Sequence, residues 1–79
     1  MRKSIFTSQQ DRLQKLLRQV RAEAGLTQMG LAKSLRQPQS FVSKYESGER
    51  RLDLIELRQI CKAVGLTLSD FIRRFEDLV

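Results

Sequence analysis

The feature that most constrains this chain is the spacing of its apolar residues. Leu13, Leu16, Leu17, Val20 and Ala24 recur three or four positions apart, which lines one face of an α-helix. The same spacing returns in Phe41, Val42 and Tyr45. It returns again in Leu54, Ile55, Leu57, Ile60, Cys61 and Val64, and in Leu68, Phe71, Ile72, Phe75 and Leu78. Strand-like alternation is absent from the sequence. Each periodic stretch is cut short by a residue that helices tolerate poorly. Gly25 and Gly65 suit the left-handed turn after a helix, and Pro38 cannot continue a helix but is shaped to start one. Ser47 to Arg51 reads as a polar loop. Thr7 with Gln10, Asp53 with Glu56 and Thr67 with Asp70 mark helix starts by capping spacing, and Thr27 is placed to cap a short helix. The pattern predicts five helices. They start at Thr7 or Ser8, at about 28, at about 38, at Asp53 and at Thr67. Short loops between them imply one all-α, compact five-helix domain over residues 1–79.

Composition then removes several functions. The 79 residues contain no His and no Trp, and one Cys. Without His the commonest general base and metal ligand is missing, and a single Cys cannot close an internal disulfide. The sequence also lacks paired catalytic carboxylates and a phosphate-cradling glycine loop. An enzyme is therefore not expected, and neither is a metal or cofactor. The apolar runs are far shorter than the ~18 residues of a membrane span. The Met1–Ser8 segment has a positive start with no apolar stretch behind it, unlike a secretory signal. The expectation is a reduced, cytoplasmic protein with no membrane partner. Net charge is +6, and it is unevenly placed. Residues 1–44 hold nine basic and two acidic side chains, and residues 45–79 hold six basic and seven acidic. A basic half attracts anions, with nucleic acid the leading candidate.

The segments at about 28–35 and 38–46 have the length and break of a helix-turn-helix, whose second helix enters the major groove of DNA. Around the apolar face of that second helix stand Gln39, Ser40, Ser43 and Lys44, which carry hydrogen-bonding groups and no negative charge. Gln can pair with adenine N6 and N7, Lys can reach guanine O6 and N7, and Ser can serve several bases. The set Leu26-Thr27-Gln28, Leu31-Ala32, Gln39 through Arg50, and Leu66 through Phe71 resembles the Cro/C1-type (XRE) helix-turn-helix family over residues 10 to 75.

The resemblance implies a lambda-repressor-like fold and a sequence-specific DNA-binding regulator, most simply a dimeric repressor reading a pseudo-palindrome. It places base reading on Gln39, Ser40 and Lys44, with Phe41 either against a thymine methyl or in the core. Phosphate binding falls on Thr27, Gln28, Ser43, Arg50, Arg51 and Arg36, with Lys33 on the rim. Arg21 and Glu46 match a structural salt bridge between the first and third helices. Residues 1–7, with Arg2 and Lys3, read as a flexible arm along the DNA backbone. Two departures stand out. Gly30 occupies a position where the family usually has an acid that completes the Thr27 cap. Arg36 stands where the family turn has Gly, so either the turn differs or Arg36 trades stability for a phosphate contact. Cys61 reads as a small buried side chain. The last helix carries more apolar surface than a domain this small can cover, so Phe71, Ile72 and Phe75 are expected at a homodimer interface. The alternative is an antitoxin or other interaction module whose main partner is a protein.

Overall fold

The computed structural model describes residues 7–79. The proposed arm at Arg2 and Lys3 lies outside the described residues. Five α-helices follow in chain order: α1 (Thr7–Glu23), α2 (Gln28–Leu35), α3 (Gln39–Ser47), α4 (Leu54–Val64) and α5 (Leu68–Leu78). No strand occurs among the described residues.

The helix ends follow the local chemistry. Asp53 and Glu56 form a reciprocal capping box: Asp53 Oδ1 accepts from the Glu56 N–H at 2.7 Å, and Glu56 Oε1 accepts from the Asp53 N–H at 3.0 Å. Thr67 Oγ1 accepts from the Asp70 N–H at 3.0 Å, and Thr27 Oγ1 accepts from the Gly30 N–H at 3.0 Å. Thr7, in contrast, is already inside α1. Three helices end in the same paired hydrogen bonds. After α1, the Gly25 N–H donates to Ala22 O and the Leu26 N–H to Arg21 O. After α4, Gly65 and Leu66 donate to Lys62 O and Cys61 O. After α2, the residue at the left-handed position is Arg36 (φ 56°, ψ 41°), whose N–H donates to Lys33 O while Gln37 donates to Ala32 O. Arg36 is the one non-glycine with positive φ among the described residues. The turn keeps the usual shape, and Arg36 bears the strain of roughly 1–2 kcal/mol.

The core gathers the predicted stripes: Leu16, Leu17 and Val20 of α1, Leu31 and Ala32 of α2, Val42 and Tyr45 of α3, Ile60 and Cys61 of α4, and Phe71 of α5. Two expectations need correction. Phe71 is 1% exposed, because it points inward to close the base of the core, so it is unavailable to a second copy. Ile72 is 39% exposed and Phe75 packs half-buried against the core. Leu54 and Ile55, expected on the inner face of α4, are 63% and 65% exposed. The cause is phase and position: Ile55 lies about 140° around the helix axis from the buried Ile60, on the far side of α4, and Leu54 stands in its first turn.

Candidate nucleic-acid interface

α3 is fixed by one face and free on the other. Val42, Tyr45 and Glu46 are buried, while Gln39, Ser40 and Lys44 are exposed and Ser43 is half-buried. Pro38 sits in extended backbone (φ −68°, ψ 155°) immediately before the helix, and Gly48 (φ 88°) ends it. Tyr45 is sealed in the core with its hydroxyl unpartnered, and burial followed by the nearby Glu46 carboxylate raises its pKa above the ordinary phenol value.

Glu46 is the buried charge that ties this helix to the rest of the domain. It is 2% exposed. Arg21 Nε donates to its Oε2 at 2.7 Å and Arg21 Nη2 to its Oε1 at 3.1 Å. Gln28 Nε2 donates to the same Oε1 at 3.0 Å. Arg21 Nη1 also reaches Leu26 O at 3.0 Å, and Arg18 Nη1 reaches the Glu46 backbone oxygen at 3.0 Å. The hydrogen bond to Glu46 pushes the Arg21 pKa up, against the opposing effect of burial. Such a pair, with its lone pairs filled, orients its helix more than it stabilises the fold. Arg18 joins this network without a signal in the sequence, because its face of α1 reads as solvated.

The network continues to the start of α3. Gln39 Nε2 lies 3.5 Å from Gln28 Oε1. Gln28 is thus half-buried between the ion pair and the first residue of α3, and its amide is engaged before any phosphate arrives. Thr27 is exposed at the start of α2, with its hydroxyl oxygen occupied by the Gly30 N–H. These side chains lie together: the N-terminus of α2 and the N-terminus of α3 open on one surface.

The loop after α3 is arranged differently from the expectation. Arg50 Nη1 and Nη2 bind Glu56 Oε1 and Oε2 at 3.0 and 2.6 Å, and Arg50 Nη1 also reaches Arg51 O at 3.0 Å. Its guanidinium carbon sits 4.7 Å from the centroid of the Phe41 ring. Phe41 meets Tyr45 edge-on, with centroids 5.5 Å apart. Arg50 is therefore a structural clasp between loop, α3 and α4, with both terminal nitrogens engaged, while the neighbouring Arg51 is exposed. With one ring face under Arg50 and its edge packed inward, Phe41 takes the core role of the two readings. The clasp also holds the Glu56 carboxyl below its ordinary pKa. Arg36 is exposed on the turn between α2 and α3.

No helix among the described residues is long and apolar enough to cross a membrane. The helix-turn-helix family model matches residues 17–71. No curated protein sequence matches the chain. Among solved structures, an XRE-family like protein from Pseudomonas syringae pv. tomato str. DC3000 is similar at 40% identity and TM-score 0.87, over 95% of this chain and 92% of that one. The clp gene regulator ClgR from Corynebacterium glutamicum is similar at 26% identity and TM-score 0.78, over 89% of this chain and 74% of that one. A second structure of ClgR matches at 26% identity and TM-score 0.76, over 87% and 88%. With most of its length inside the family model and a 40% identical relative along nearly all of it, this chain belongs to the XRE family of helix-turn-helix, DNA-binding transcriptional regulators.

Proposed function

We propose that the protein is a dimeric repressor that reads a pseudo-palindromic operator through α3. The observation that carries this reading is the division of α3 into a buried anchoring face and an exposed face of Gln39, Ser40 and Lys44 without an acidic side chain. Gln39 and Lys44 contact base edges, and Ser40 contributes a short donor or acceptor. Thr27 and Ser43, with Arg51 and Arg36, hold the flanking phosphates and set the register. Gln28 has two tasks in this reading. It holds Gln39 in place, and it offers its remaining amide hydrogen to the backbone. Repression follows from occupancy: a small domain seated on a promoter excludes other proteins from that stretch.

Selection of bound sequences from random DNA tests the reading. A two-fold symmetric consensus, with half-sites about 34 Å apart, is the expected result. Gln39→Ala and Lys44→Ala should each cost about 1–3 kcal/mol of operator binding and relax preference at one base position. Parental affinity and preference in both variants would remove α3 from base reading. For the sign of regulation, a reporter promoter carrying the selected site should fall in output when the protein is expressed, and a rise would overturn the repressor assignment.

A further inference from the structure

The outer face of α3 has two borders, and they are built differently. Counted at about 100° per residue around the helix, that face runs from Ser43 through Ser47 and Ser40 to Lys44. Beyond Lys44 stands Phe41, under the Arg50 clasp that ties this side to α4. Beyond Ser43 stands Glu46, and this side is lined by α1. Arg21 takes the Glu46 carboxylate, Arg18 Nη1 takes the Glu46 backbone oxygen at 3.0 Å, and the Gln14 amide lies beside Gly48. α1 therefore runs past the C-terminal end of α3, with Arg18 in the crease between the two helices.

The two arginines differ in what they leave free. Arg21 commits Nε and both terminal nitrogens within the protein. Arg18 is exposed and commits Nη1 alone. Among the described residues its Nε and Nη2 have no partner, and it forms no ion pair. Lys15, three residues earlier and about 60° around α1, is also exposed and adds a second positive charge. The acids at this end are engaged or distant. Glu46 is held by Arg21 and Gln28, Glu49 accepts from the Ser47 hydroxyl at 3.4 Å, and Asp11 stands seven residues before Arg18, about 10 Å along the helix.

A guanidinium braced by one nitrogen, with further donors in the same plane left over, is prepared for an anion. For a helix seated in the major groove, the anion alongside is DNA phosphate, which recurs about every 3.4 Å of duplex axis on each strand. Thr27 and Gln28 stand near Gln39, at the start of α3, and Arg18 stands near Glu46, about 10 Å further along.

We infer that Arg18 forms a further phosphate-binding site for duplex DNA, at the α1 border of α3 and outside the positions that the family resemblance marks for phosphate. This inference rests on the reading of α3 as the groove helix and supplies a strand contact at its C-terminal end. The same guanidinium holds the Glu46 backbone oxygen, so a phosphate bound there is tied directly to the last turn of α3.

An arginine at a helix end can also serve its carbonyl alone, and the test separates the two tasks. Binding of the full chain to a selected operator and to random duplex is measured from about 50 to 200 mM salt, well below the melt. Arg18→Gln keeps an amide donor for the Glu46 oxygen and removes the charge. Its melt should stay near the parent's, its affinity for both duplexes should fall about tenfold by the same factor, and its salt slope should fall by about one. Arg18→Lys, which keeps the charge without the fork, should retain the slope and recover part of the affinity. Arg73→Gln removes an exposed cation from α5, which packs on α1 and α4, and should leave the slope unchanged. An unchanged slope in Arg18→Gln, whether or not affinity falls, overturns the site and leaves Arg18 as a brace for α3. An equal slope change in Arg73→Gln overturns it too, since net charge then accounts for the effect. Failure of the α3 reading shows separately, as parental base preference in Gln39→Ala and Lys44→Ala.

Discussion

At the scale of single residues, charge burial decides most outcomes. Glu46→Ala would leave the Arg21 guanidinium and the Gln28 amide without their acceptor inside the protein. Breaking one side of such a pair costs about 3–5 kcal/mol, so a loss of that order is expected in chemical denaturation. Glu46→Gln keeps the shape and one acceptor oxygen, and should cost less. Arg36→Gly addresses the strained turn. Glycine takes φ 56° without penalty, so unfolding free energy should rise by about 1 kcal/mol. The same variant separates strain from function: if Arg36 holds a phosphate, DNA binding weakens and its salt slope falls by about one even as the fold gains stability. Glu56 sets an acid limit. Its pKa in the folded protein is depressed, first by the Arg50 hydrogen bonds and then by the capping bond to Asp53. A depressed carboxylate contributes its full stabilisation above the unfolded value of about 4.3, and the contribution is lost as pH falls through the folded value. Denaturation midpoints measured from neutral pH downward should therefore fall below about pH 4.3, and less steeply in Glu56→Gln.

At the scale of elements, α2 has the weakest start of the three helices that carry a side-chain cap. It has eight residues, no acid in its first turn, and glycine at the position where the other threonine- and aspartate-capped helices carry Asp70 and Glu56. A Cβ at Gly30 would lie 3.3 Å from Thr27 Oγ1, a neighbour that a capped helix with a side chain there already accommodates, and 3.7 Å from a flexible Leu26 methyl. Gly30→Ala should thus stabilise the protein by about 0.5–1 kcal/mol, read from a urea titration. The helices themselves, their caps and their glycine stops were legible in the sequence because they depend on spacing and on neighbours within a few residues. What escaped was the identity of each helix's neighbour. Ile55 is apolar but out of phase with the buried Ile60 and Cys61, and Leu54 is in phase yet stands in the first turn, so an apolar run read as one face placed both inside. Arg50 reads as a loop cation until the fold brings Glu56 and Phe41 against it. Arg74 binds Glu23 through two bonds of 2.9 Å across 51 residues of sequence, a pairing that no local rule announces. The paired positions Arg21 and Glu46, by contrast, were available through family resemblance.

At the scale of the whole molecule, one inward ring locks α5 to the rest. Phe71→Ala would open a cavity where α5 meets the core, and a loss of about 3–5 kcal/mol is expected from thermal melts. That is a large share of the 5–15 kcal/mol typical of small domains. Charge is distributed at the same scale. The basic excess lies in the first 44 residues, which include α1, α2 and most of α3, while the remainder is near neutral. DNA affinity is therefore expected to fall steeply with salt, and Arg51→Ala should weaken operator and random DNA alike.

The two-sided build of α3 has a consequence for lineage rather than for any one molecule. The side chains that hold it, Val42, Tyr45 and Glu46, share no position with the exposed Gln39, Ser40 and Lys44. Exchanging the exposed trio for another polar set leaves the anchors untouched, so the melting temperature should stay within the small range typical of surface changes. If those positions read bases as proposed, a duplicated copy can drift there and acquire a new address on the chromosome without first losing its fold.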